Sequence, residues 1–112
     1  MKDIEVKKIR EDVIEIIPGK DFIEFVVDEF KNIIKSLKFE KDIKVIVNFK
    51  NIKFISSSGI ASMGALYNML RNYNGKLIFI NLNSNVKSLF KLINLTDEIT
   101  IYKDLNEAIK NV

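Results

Sequence analysis

Two short runs limit what this chain can fold into: Ile43-Lys44-Val45-Ile46-Val47-Asn48-Phe49 and Leu77-Ile78-Phe79-Ile80. Rich in β-branched and aromatic residues, they suit strands rather than core helices. The second is apolar at every position, which suits the middle of a sheet covered on both faces. Between and beside these runs, apolar residues recur at three- and four-residue steps, the spacing of one helix face. Phe22, Phe25, Val26, Phe30, Ile33, Ile34 and Leu37 trace such a face over about 22–37. Ile60, Met63, Leu66, Tyr67 and Leu70 trace another over about 58–72, which Asn74-Gly75 should stop.

The remaining elements follow the same logic. Ile4, Val6 and Ile9 alternate with charges and read as an edge strand over about 3–9. Glu11-Asp12 turns the chain into a second strand at Val13–Ile17, which Pro18-Gly19 should end. Ser84 is placed to cap a helix over about 85–93, with Val86, Leu89, Phe90 and Ile93 inward. A short strand near 99–102 precedes a helix begun by Asp104, with Leu105, Ala108, Ile109 and Val112 inward. Strands alternating with helices imply a single α/β domain over 1–112, with a mixed, mostly parallel sheet of about four or five strands and about four helices. Its first hairpin would supply antiparallel pairing at one edge.

The junction Phe54-Ile55-Ser56-Ser57-Ser58-Gly59-Ile60 joins the third strand pattern to a helix pattern. One serine suffices to cap a helix, its oxygen accepting a hydrogen bond from an otherwise unpaired N–H. Three exceed that need, and they stand at the positive end of a helix, where negative charge is stabilised. The site suits a phosphate, bound or covalently attached.

The junction resembles the central motif of the STAS domain, the family of sulfate-transporter and anti-sigma-factor-antagonist domains. Its bacterial regulatory members carry Asp-Ser/Thr-Ser/Thr-Gly before an apolar helix. The resemblance also takes in Gly19, the Gly75–Leu82 strand, Asn85-Val86-Lys87-Ser88-Leu89-Phe90 and the Leu-x-x-x-Ile-x-Ile-Tyr ending from Leu95. It implies a STAS-like fold and a regulatory protein-binding module acting in transcription regulation. Its partner would be an anti-sigma factor that is also a serine kinase, with a phosphatase as a second partner. It makes Ser58 the phosphorylation site, with Ser57 as the alternative. Ser56, Ser57, Ser58, Gly59 and Asp21 would form the partner-binding surface. Two family carboxylates are missing: Ser56 stands where the motif has aspartate, and Phe22, beside Asp21, where a second aspartate is usual. The alternative implied by these departures is a STAS scaffold or adaptor, never phosphorylated, in a signalling or transport assembly.

Composition narrows the chemistry. The 112 residues include neither histidine nor cysteine, which excludes Cys/His zinc sites, Ser-His-Asp triads, imidazole bases and disulfides. A hydrolase using Ser57 or Ser58 as nucleophile would need a base; Gly-x-Ser-x-Gly is absent, and a Ser-Lys pair needs a lysine that sequence cannot place. No enzyme activity, cofactor or metal is expected. The formal net charge of +3 comes from lysines scattered among acidic residues, without a basic run, so nucleic acid is not an expected partner. No stretch approaches the ~18 apolar residues of a membrane span, and a cytoplasmic setting without direct membrane insertion is expected. Asn81, Asn83 and Asn85, after the fourth strand, suit either a polar rim or a solvated loop with a helix cap. Gly64 and Ala65 leave the motif helix narrow, and the chain's own first helix is expected to pack against them, ahead of a partner.

Overall fold

A computed structural model describes residues 3–95 and 98–112. In chain order the elements are β1 (Ile4–Arg10), β2 (Val13–Pro18), α1 (Glu24–Ser36), β3 (Lys44–Asn48), α2 (Ser57–Arg71), β4 (Lys76–Ile80), α3 (Ser84–Leu92), β5 (Thr100–Tyr102) and α4 (Leu105–Lys110). Thr96 and Asp97, within the ending read from Leu95, lie outside the described residues. The five strands form one sheet in unbroken order, β1-β2-β3-β4-β5. β1 pairs antiparallel with β2, and every later pair is parallel. The expected α/β domain with an antiparallel first hairpin is therefore present.

Strand order and handedness together position the helices. Each β-α-β crossover is expected to be right-handed, and the chain always steps the same way across the sheet, so α1, α2 and α3 fall on one face. Alternate strand residues divide accordingly. Val45, Val47, Leu77 and Phe79 join the large core with Val26, Val27, Phe30, Met63, Leu66, Leu70, Val86 and Phe90. Ile46, Ile78 and Ile80 turn to the other face, where Ala108 of α4 and Val13 complete a smaller cluster. β3 and β4 are thus covered on both sides, the environment their continuous apolar runs require. Phe49, Phe79 and Phe90 meet with ring centroids 4.8–5.7 Å apart, within the favourable range for aromatic pairs.

Several boundaries and faces differ from the sequence reading. Phe22 lies before α1 and makes an isolated parallel bridge with Ile55. Phe25 is 85% exposed, not inward. At 100° per residue it falls about 155° from the centre of the stripe formed by Val26, Val27, Phe30 and Ile34. Asn83, not Ser84, caps α3, its side chain accepting from the Val86 N–H at 2.8 Å. Ile93 is exposed just beyond α3. At the end of α2 it is Asn74 that takes the left-handed conformation (φ 54°). Gly75 is needed for space instead, since a Cβ there would lie 2.7 Å from the Ile43 carbonyl oxygen. The expected packing of α1 against Gly64 is also overturned: a Cβ at Gly64 would meet nothing within 4 Å.

Two substitutions test this packing. Phe90→Ala empties the centre of the aromatic cluster and should cost about 3–5 kcal/mol, lowering the thermal midpoint by more than ~10 °C. Gly64→Ala fills open space in a helix interior and should add roughly 0.5–1 kcal/mol, read as a raised midpoint in denaturant unfolding.

Candidate functional site

The serine junction is built by two loops zipped together, one entering α1 and one entering α2. The Phe22 N–H donates to the Phe54 carbonyl and the Ser56 N–H donates to the Phe22 carbonyl, each at 3.0 Å. Asp21 clamps the same pair of loops, one carboxylate oxygen accepting from the N–H groups of Lys53 (2.8 Å) and Phe54 (3.2 Å). Gly59 permits the close approach: a Cβ there would stand 2.8 Å from both Ile55 Cγ1 and Phe22 Cδ2. Buried Phe22 then stacks edge-on against Phe30 of α1, with centroids 5.0 Å apart. The junction is thereby tied to the main core.

Within the junction the three serines do different things. Half-buried Ser56 is the N-cap of α2, its Oγ accepting from the Gly59 N–H at 3.0 Å. The same hydroxyl lies 3.4 Å from the Phe22 carbonyl and 3.0 Å from Ser58 Oγ. With Ser58 donating to Ser56, and Ser56 donating to the carbonyl, every proton has an acceptor. Ser57 and Ser58 are exposed in the first turn of α2. Both lie where the unpaired N–H groups of the helix start concentrate partial positive charge. Ser56 thus performs the capping that an aspartate could perform, without its charge.

Ile23 on the first loop, Phe25 in the first turn of α1 and Phe54 on the second loop are 46%, 85% and 67% exposed. In sequence Phe54 stands out only as part of the motif, and the apolar periodicity places Phe25 inward. α1 also starts without a side-chain cap, and its first residue, Glu24, has a positive φ of 29°.

Beneath the loops, a polar chain crosses the strand ends. Asn81 donates to Asn48 Oδ1 and Asn48 donates to Glu15 Oε2, both at 3.0 Å. Glu15 and Asn48 are only 2% and 5% exposed. Sequence reasoning missed both, although each is a polar residue at an inward position of an apolar strand. Asn81, Asn83 and Asn85 line an open depression of about 900 Å³ with Lys50, Lys53, Phe54 and Lys103. The unbroken strand order has no switch point, where crossovers diverge and a deep ligand crevice opens. Asn83 is spent as a helix cap and Asn81 on the polar chain. Among the described residues, no group of three or more acidic side chains is placed to hold a metal ion.

A family model described as the STAS domain matches residues 4–108. The chain belongs to the STAS-domain family. Its fold matches that of a STAS-domain anti-sigma-factor antagonist from Planctomyces limnophilus with a TM-score of 0.86, at 15% identity and 97% coverage of each chain. A candidate anti-sigma factor antagonist from Thermotoga maritima gives a TM-score of 0.83 at 19% identity, over 97% of this chain and 93% of that one. The Bacillus cell fate determinant SpoIIAA in its phosphorylated form gives 0.75 at 17% identity, over 96% of each chain. At these identities the likeness is one of fold. No curated protein matches the chain in sequence.

For this STAS domain, the roles of Ser56 and Gly59 separate on substitution. Ser56→Ala should cost about 1 kcal/mol by removing the cap, and Ser56→Asp should retain it. Gly59→Ala forces Phe22 and Ile55 apart and should cost about 1–3 kcal/mol. Denaturant midpoints of the three variants give the comparison.

Proposed function

We propose that this STAS domain is a protein-docking module of the anti-sigma factor antagonist type, switched by phosphorylation of Ser58. Its surface comprises Ser56, Ser57, Ser58 and Gly59, with Asp21 holding the loops in place and Phe25 and Phe54 as apolar anchors. The partner is an anti-sigma factor that also acts as the serine kinase, and a phosphatase resets the switch. The chain binds rather than catalyses, and its setting is the bacterial cytoplasm. No helix among the described residues is long and apolar enough to cross a membrane.

The observation that carries this reading is the exposed Ser58 hydroxyl in the first turn of α2, 3.0 Å from the capping Ser56 hydroxyl. A phosphate on Ser58 brings roughly −1.5 to −2 charges. The helix start favours that charge by about 0.3–1 kcal/mol, and the neutral Ser56 hydroxyl can rotate to donate to it where an aspartate would repel it. The same charge buried at an interface without a counter-ion costs several kcal/mol, on the order of 3–5. Phosphorylation therefore abolishes docking without unfolding the domain.

Ser58→Asp should abolish binding to the anti-sigma factor while moving the thermal midpoint by only a few degrees. Ser58→Ala should keep binding and lose phosphate incorporation. Phosphopeptide mapping and pull-down with both variants read these outcomes; phosphate on Ser57 moves the site by one residue. A second reading rests on Ser56 in place of a carboxylate: an unphosphorylated scaffold or transport-associated adaptor. It is the correct one if no phosphate is found and Ser58→Asp binds normally.

A further inference from the structure

The open depression at the C-terminal ends of the parallel strands is basic. Lys50 and Lys53 reach it from the loop between β3 and α2, and Lys103 from the loop after β5. They stand on either side of the β4–α3 loop, because β4 lies between β3 and β5 in the sheet. All three are exposed, and none forms an ion pair among the described residues. No carboxylate lines the depression. The acidic side chains of the neighbouring loops are turned to backbone N–H groups instead. Asp21 accepts from Lys53 and Phe54, Asp104 from Glu107, and Glu107 from Lys103 at 3.2 Å. Apolar surface comes from exposed Phe54, two residues before the capping Ser56, and from half-buried Leu82.

We infer that this depression takes an acidic segment of the docking partner, with carboxylates on Lys50, Lys53 and Lys103 and an apolar side chain on Phe54 and Leu82. The inference rests on the docking reading above and names the chemistry of that partner. Charge complementarity carries it: like charges gathered around one concavity, without counter-charges of their own, favour an anionic occupant. A protein segment suits the site better than other polyanions. The lysines surround a hollow and do not form the flat or linear basic stripe that a bilayer surface or a nucleic-acid backbone follows. No arginine lines it, the side chain whose planar fork best matches phosphate, whereas a lysine ammonium pairs readily with a single carboxylate. Phe54 makes the depression continuous with the serine junction, so one partner can cover both. An acidic partner is also repelled by the roughly −1.5 to −2 charges of a phosphate on Ser58.

A blocked acidic peptide, acetyl-Glu-Asp-Leu-Glu-Asp-Leu-Glu-amide, titrated into the isotope-labelled protein tests the assignment by amide NMR. Saturable shifts should centre on Lys53, Phe54, Leu82, Asn83 and Lys103. The counterpart with Gln and Asn in place of Glu and Asp should bind about tenfold more weakly, and raising NaCl from about 50 to about 500 mM should weaken the acidic peptide several-fold. Lys50→Gln, Lys53→Gln and Lys103→Gln combined should lower its affinity by about tenfold. Lys31→Gln with Lys35→Gln, exposed on α1, should leave it unchanged. Ser58 does not line the depression, so Ser58→Asp should bind the peptide within about twofold of the unaltered chain. The peptide result thus stands or falls separately from the Ser58 switch. Shifts spread over the surface lysines, equal affinity for the acidic and neutral peptides, or binding that survives the triple substitution overturn the inference. So does loss of peptide binding in Ser58→Asp, which places the contact at the serine junction. Tighter lysine-dependent binding of an oligouridylate or of phosphatidylglycerol vesicles than of the peptide overturns it as well.

Discussion

The unbroken strand order is the constraint on which the rest of this structure depends. Because each crossover steps to the next strand in the same direction, right-handed connections commit α1, α2 and α3 to one face of the sheet. The other face is left to α4, a helix of six residues. That asymmetry explains why the large core holds the aromatic cluster while the smaller one is mostly isoleucine and valine. The buried polar chain lies on that same face, where Glu15, Asn48 and Asn81 hydrogen-bond to one another. Buried polar groups left without partners would cost far more than such pairing contributes.

The serine junction draws its geometry from the same arrangement. β2 and β3 are parallel neighbours, so the loops leaving them emerge side by side and can zip through Phe22, Phe54 and Ser56. Asp21 adds a clamp across the pair. The rigidity comes from backbone hydrogen bonds and from Phe22 anchored in the core, so the hydroxyls of Ser57 and Ser58 need no packing of their own to be presented to solvent. Capping by a serine instead of an aspartate keeps the helix start satisfied while leaving it uncharged. A helix start left uncharged in this way keeps its positive partial charge, which favours added negative charge there.

Much of the fold was legible in the sequence because it rests on local rules. Period-two and period-3.6 apolar patterns located the nine elements, and the fully apolar run at Leu77–Ile80 announced a doubly covered strand. The triple serine, read against the helix that follows, announced a helix start with hydroxyls to spare. No tertiary information was needed for either, since cap chemistry and strand burial follow from a few consecutive residues.

Other features were decided only in three dimensions. Phe25 matched an apolar pattern but lies opposite the stripe of Val26, Val27, Phe30 and Ile34 that the sheet buries. Gly64 and Ala65 looked like a seat for the first helix. Yet α1 and α2 pack so that a groove remains, which depends on helix separation and not on either helix alone. Glu15 and Asn48 pointed inward on strands whose neighbours had first to be brought into register before their partners could be known. The sequence by itself determined which segments form strands and helices and where a helix begins with spare hydroxyls, because those choices are made within a turn or a strand. Only the tertiary structure decided which apolar residues stay exposed and which polar residues find buried partners, because those depend on distances between segments far apart in the chain.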